Sequence, residues 1–240
     1  MQQPGCQGGG PAVWRWGLDY CKPGQGALAV TCYLTHSRFA MNPLFADEPL
    51  VLDDPYMSRM SEEEFFDFCQ QHRKWRVERN AQQEILIMAP TFSLTGKRNA
   101  RLITQLGMWW DQHPEAGEIF DSNAGFTLPN GAVRSPDASW VPAAQWNALS
   151  PEQQEKFAHI CPPFVVELRS KTDSLKVLLA KMEEYRENGT ALGWLLSCDD
   201  ETAYIFRAGQ AGYETVVGFE RELAGESVLA GFALDLRKLR

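Results

Sequence analysis

The stretch from Phe164 to Cys198 constrains the fold more than any other part of this chain. Phe164–Leu168 places β-branched and aromatic residues between the double proline Pro162-Pro163 and a polar Ser170-Lys171-Thr172-Asp173 turn, which reads as a short buried strand. A helix then opens at Asp173 or Ser174, both good N-caps, and stops at Asn188-Gly189. Its apolar stripe is Leu175, Leu178, Leu179, Met182 and Tyr185, with Lys181 at the edge of that stripe. A second apolar run, Leu192 to Cys198, predicts a strand, so the segment is a strand–helix–strand unit. Ligand sites in such sheets gather at strand ends. Glu167, the one carboxylate of the first strand, is costly to bury unless a cation or hydrogen bonds satisfy it, and Lys181 can supply the charge.

The remainder of the chain bounds what this unit can serve. With 240 residues, 44% of them hydrophobic, it can bury one sizeable core, and 45–240 reads as a single domain. The formal charge of −8 argues against indiscriminate nucleic-acid binding through the overall field, so an anionic partner needs a local basic patch. Cys6, Cys21, Cys32, Cys69, Cys161 and Cys198 form no CxxC pair and read as reduced thiols. No run of 18 apolar residues exists and the first basic residue, Arg15, comes too late for an ordinary signal peptide, so a cytoplasmic protein without a membrane partner is expected. Residues 1–44 have the composition of an irregular, disordered extension, and Met41 opens a more ordinary N-terminus, as if an upstream start had been chosen.

Along 45–240 the first helix runs from Ser61 to about His72, opened by the capping box Ser61-x-x-Glu64. Trp75–Glu78 and Glu84–Met88 read as a strand pair, and a helix follows from about Gly96 to Gln112. Lys97, Arg98 and Arg101 put positive charge in the first turns of that helix, whose N-terminus also favours anions. Short strands are expected at Gly117–Asp121, Gly125–Leu128 and Ser135–Val141, then a brief helix at Ser150-Pro151-Glu152-Gln153. Thr202–Phe206 and Tyr213–Val217 add strands, and Phe232–Leu236 alternates like an edge strand. The four histidines stand without nucleophile or ligand partners, and Trp109, Trp110 and Trp140 fit a core better than a base-stacking platform.

Asp137 leads one short apolar strand and Glu167 closes another that could lie beside it. Two hard oxygen ligands at adjacent strand ends suit a Mg²⁺ that keeps most of its waters, and Lys181 could position or deprotonate an attacking water. The same residues fit a structural pattern, with Asp137 capping the turn after Pro136 and Glu167–Lys181 an ordinary ion pair. Spacing alone leaves both open.

The motifs SPDASWV at 135–141, FVVELRSKTDSL at 164–175, KMEEYRENGTALGWLL at 181–196 and LTGKRNARL at 94–102 resemble the Uma-type putative restriction endonuclease family, within the PD-(D/E)XK nuclease superfamily. The resemblance spans roughly 45–240. It implies an α/β fold with a restriction-endonuclease-like core, a central mixed sheet flanked by helices, and Mg²⁺-dependent phosphodiester hydrolysis, with Mn²⁺ as a substitute. Carried over by position, Asp137 matches the metal-binding acid of the PD motif and Glu167 the acid of (D/E)XK. Arg169 holds the place of the superfamily lysine; arginine stays protonated, so it could clamp phosphate but hardly activate water. The lysine function is implied for Lys181 instead, and Glu78 matches a further acid that supports the metal or its water. Pro163 departs from a family Asp outside the catalytic set. Arg169, Lys97, Arg98 and Arg101 are the expected phosphate contacts, the implied substrate is nucleic acid, double-stranded DNA foremost, and a homodimer would serve cleavage of two strands. The alternative is a nuclease fold that binds nucleic acid or protein without cutting.

Overall fold

The computed structural model of the chain describes residues 49–52 and 59–240, so the expected N-terminal extension and Met41 lie outside the described residues. Two sheets dominate. The first has five strands in the order β1-β3-β2-β6-β5, formed by β1 (Leu50–Leu52), β2 (Arg76–Arg79), β3 (Ile85–Met88), β5 (Phe126–Thr127) and β6 (Val133–Arg134), all antiparallel. The second has six in the order β11-β10-β9-β8-β7-β4, formed by β4 (Gly117–Asp121), β7 (Ala138–Pro142), β8 (Phe164–Arg169), β9 (Leu192–Ser197), β10 (Thr202–Arg207) and β11 (Glu214–Val217). Only β8 and β9 run parallel in it, so it is a mixed sheet.

The parallel pair follows from α5 (Leu175–Glu187), the crossover helix between β8 and β9. Ser174 is its N-cap and Asn188 its C-cap, with Gly189 just beyond at φ 118°, a left-handed conformation that glycine adopts without strain. Alternation along β8 sends Val165 to the core under α5, with Met182, Tyr185, Leu195 and Phe206. Phe164, Val166 and Leu168 face the opposite core, where α2 (Ser93–Trp110) contributes Leu102, Leu106 and Trp109. The two long helices therefore cover opposite faces of the six-stranded sheet. Glu167, in register with Val165, belongs to the α5 face.

Trp109 and Trp140 are core residues, meeting edge to face at a centroid distance of 6.4 Å. The Phe232–Leu236 tail supplies β13 (Ala233–Asp235), which pairs with β12 (Glu222–Ala224) in a separate ribbon and does not edge the main sheet. α1 (Glu62–Gln71) begins with the expected capping box and lays Phe65 on Ile85 and Val133 of the five-stranded sheet. The short helices α3 (Ala143–Trp146) and α4 (Pro151–Gln154) link β7 to β8, the second with a Ser150–Gln153 capping box.

Candidate functional site

Ser135-Pro136-Asp137 carries the chain from β6 in the five-stranded sheet to β7 in the six-stranded sheet. The crossing point brings residues of both sheets together under α5. From the first sheet come Arg76 and Glu78, two apart on β2 and so on one face, and Arg134. From the second come Asp137 and Glu167, whose strands pair antiparallel with Ala138 opposite Val166. From α5 come Lys181, Glu184 and Tyr185, spaced at i+3 and i+4 on one helix face.

Lys181 is the hub of this cluster. Its ammonium lies 2.7 Å from Glu167 Oε1 and 2.9 Å from Glu78 Oε1. Glu78, its side chain only 2% exposed, also accepts from Arg134 Nη1 at 3.1 Å and from the Ser135 amide at 3.2 Å. Arg134 reaches on to Glu184 with Nη2 at 2.6 Å, which ties β6 to α5. Tyr185 donates its hydroxyl to Glu167 Oε1 at 3.1 Å. Asp137 is fixed separately: Oδ2 accepts from the Leu168 amide at 2.8 Å, and Oδ1 lies 3.3 Å from Arg76 Nη2.

Four carboxylates here face three cations, Arg76, Arg134 and Lys181, so the cluster carries an excess of negative charge. The acids respond differently. Burial pushes the Glu167 carboxyl up, and although Lys181 draws it down, the neighbouring Asp137 and Glu78 leave it at about 7. Burial also works against ionised Glu78, but Lys181 and Arg134 outweigh it and hold that carboxyl at about 2. Lys181 itself is raised: burial lowers it, yet Glu167 and Glu78 more than compensate. It is an ammonium with three protons to donate and no lone pair to accept one.

The four residues expected to be catalytic, Asp137, Glu167, Lys181 and Glu78, thus meet at one place. The expected phosphate contacts do not join them. Arg98 is buried on the α2 face and donates to the Leu239 carbonyl and Asp199, both at 2.8 Å. Arg101 donates to the carbonyls of Lys238 and Arg240, and Lys97 is exposed on the same helix. Arg169 holds the ends of β8 and β9 through Asp200 at 2.7 Å, Ser197 and the Asp173 carbonyl. Its Nε and Nη1 are the donors used.

Sequence reasoning missed Arg76, Arg134 and Glu184. Arg76 had a signal: once Glu78 is placed on the strand of Trp75–Glu78, alternation puts Arg76 on its face. Glu184 shares the face of Lys181 at i+3. Arg134 had none, since two-residue β6 is too short to show a period.

The family model for the Uma2 putative restriction endonucleases matches residues 62–237, and these contain every residue of the cluster. The chain belongs to the Uma2 family. The chain is also similar to a solved structure, described as a putative nuclease belonging to DUF820 from Anabaena variabilis ATCC 29413. It is similar to this chain with a TM-score of 0.58 and 16% sequence identity, covering 68% of this chain and 88% of that one, which shows a shared fold. No curated protein matches the sequence. No helix among the described residues is long and apolar enough to cross a membrane.

Proposed function

We propose that this protein is a Mg²⁺-dependent endonuclease that hydrolyses phosphodiester bonds of DNA. The single observation that carries the proposal is the convergence of Glu167, Asp137 and Lys181 where the paired strands β7 and β8 meet α5. The donor set fits a hard divalent cation. Asp137, just before β7, and Glu167, on the neighbouring β8, offer the hard carboxylate oxygens that such a cation takes. Asp137 and Glu167 would hold Mg²⁺, which supplies Lewis-acid polarisation of a phosphoryl oxygen and neutralises charge developing there.

The chain's own groups divide the remaining work. Lys181, kept protonated by its two carboxylates, orients the attacking water and donates to the charge that builds on the phosphoryl group. It keeps its own proton, so the water's proton passes to solvent as the new P–O bond forms and the P–O bond to the departing strand end breaks. Glu78, pinned by Arg134 and the Ser135 amide, fixes where the Lys181 ammonium stands. Arg76, 34% exposed and anchored on Asp137 and the Ser135 carbonyl, takes the phosphate-contact role within the cluster, which Arg169, Arg98 and Arg101 do not join.

A supercoiled-plasmid nicking assay tests this. Wild type with Mg²⁺ is expected to nick, and Asp137→Asn and Lys181→Met to fall by on the order of 100-fold or more. Equal activity in the variants sinks the hydrolase reading. Retention of plasmid without nicking by wild type would favour a non-cleaving module on the same fold.

A further inference from the structure

Tyr185 is fully buried, yet its hydroxyl ends in the candidate site. Its ring packs in the apolar layer under α5 with Val165, Met182 and Leu195. Its carbonyl closes the end of that helix, accepting from the Thr190 amide at 3.0 Å and from the Asn188 amide at 3.2 Å. Thr190 in turn donates its hydroxyl to the Pro162 carbonyl at 2.9 Å, which ties the end of α5 to the chain just ahead of β8. A ring packed on its faces and held at its backbone leaves the hydroxyl little choice of position. That hydroxyl donates to Glu167 Oε1 at 3.1 Å, and the Lys181 ammonium lies 2.7 Å from the same oxygen. The ammonium also stands 5.8 Å from the centre of the Tyr185 ring, within cation–π reach. Among the described residues no hydrogen bond reaches Glu167 Oε2.

We infer that Tyr185 is a positioning residue that sets how Glu167 meets a divalent cation: with Oε1 held by Tyr185 and Lys181, Glu167 presents Oε2 alone. This rests on the metal-dependent reading above and deepens it by naming what selects the ion. Mg²⁺ demands a near-regular octahedron, and the two oxygens of one carboxylate stand too close together to fill two of its corners. Ca²⁺ accepts a carboxylate through one oxygen or both, in looser geometry. A carboxylate restricted to one oxygen therefore favours Mg²⁺ over Ca²⁺. Partners that orient a metal ligand without touching the metal are each worth about 10–100-fold in affinity.

The test is calorimetric titration of Mg²⁺ and of Ca²⁺ into the metal-free full-length protein, with plasmid nicking in Mg²⁺ alongside. Tyr185→Phe keeps the ring and its contact with Lys181 and deletes only the hydroxyl. It is expected to weaken Mg²⁺ binding on the order of 10-fold and Ca²⁺ binding by less than about threefold. Both ions require the same deprotonated carboxylates, so their ratio reports orientation and not the protonation of Glu167. Thr190→Val breaks the tie to Pro162 and should lower the thermal midpoint while leaving the ratio as in wild type. An unchanged ratio in Tyr185→Phe, or an equal change in Thr190→Val, overturns the role of the hydroxyl and leaves a nicking wild type as a nuclease. A wild type that binds neither ion overturns both readings. A ratio that depends on Tyr185 in a protein that nicks nothing supports the positioning and removes the hydrolase reading.

Discussion

Glu78 and Glu167 share one ammonium and burial pushes both carboxyls up, yet the charges around them carry the two to opposite sides of the ordinary value. Glu78 has Arg134 as a second cation and a backbone amide, so its carboxyl is held at about 2, below the ordinary 4.5. Its contribution to stability is therefore complete above pH 4.5 and is lost as pH falls toward 2. Glu167 is raised from 4.5 to about 7 by burial and by the carboxylates beside it. The folded state then binds the proton more tightly than the unfolded state, so this contribution is present below 4.5 and is lost as pH rises through 7. Denaturant midpoints measured from about pH 3 to about pH 8 without divalent cation should fall at both ends. Glu167→Gln should flatten the alkaline side, and Glu78→Gln the acid side while also easing the alkaline slope, because Glu78 is one of the charges that raise Glu167. An alkaline slope that survives Glu167→Gln would show that another group causes it.

The helix α5 delivers Lys181 to the site only because β9 makes room for it. A Cβ added to Gly193 would come within 2.6 Å of Met182 Cε and 3.4 Å of Val165 Cγ2. Gly193→Val should cost about 1–3 kcal/mol by overpacking and push α5 outward. A displacement of about 1 Å at Lys181 should lower nicking on the order of 100-fold in molecules that remain folded. Met182→Ala in the same chain frees the space and should restore part of the rate; no recovery would mean that the helix position is set elsewhere. The βαβ unit carrying this device was legible in the sequence, because strand, cap, stripe and glycine stop all agreed over Phe164–Cys198. The capping boxes at Ser61 and Ser150 were legible for the same reason, each being a local exchange of two hydrogen bonds. Strands β6 and β12 were not, since two or three residues carry no period and are set by tertiary pairing. The charges at Arg98 and Arg101 could be read, but not their direction: their partners are Asp199 and carbonyls near the C-terminus, more than a hundred residues away in sequence.

Across the whole molecule, the cluster joins two sheets that also share an apolar core, where Phe126 of the five-stranded sheet packs with Val141, Val165 and Leu195 of the six-stranded one. Glu78 and Arg134 stand on the five-stranded sheet, Asp137 and Glu167 on the six-stranded sheet, and Lys181 and Glu184 on the helix that spans them. A cation held by Asp137 and Glu167 can bind only when these pieces are assembled, so its binding energy adds to the stability of the folded chain as a unit. At about 100 times its dissociation constant, Mg²⁺ should stabilise by about 2.7 kcal/mol, which for a domain of this size raises the thermal midpoint by about 5–10 °C. Glu167 must give up its proton to serve as a ligand, so the rise should be larger at about pH 8 than at about pH 6. Asp137→Asn should abolish it, whereas Glu184→Gln, which alters the Arg134 clamp and the Asn130 hydrogen bond, should keep it despite a lower starting midpoint. A Mg²⁺-induced rise of equal size in Asp137→Asn would place the cation elsewhere. The absence of any rise in wild type at millimolar Mg²⁺ would leave the assembled charges as structural ion pairs, with Lys181 as their permanent counterion.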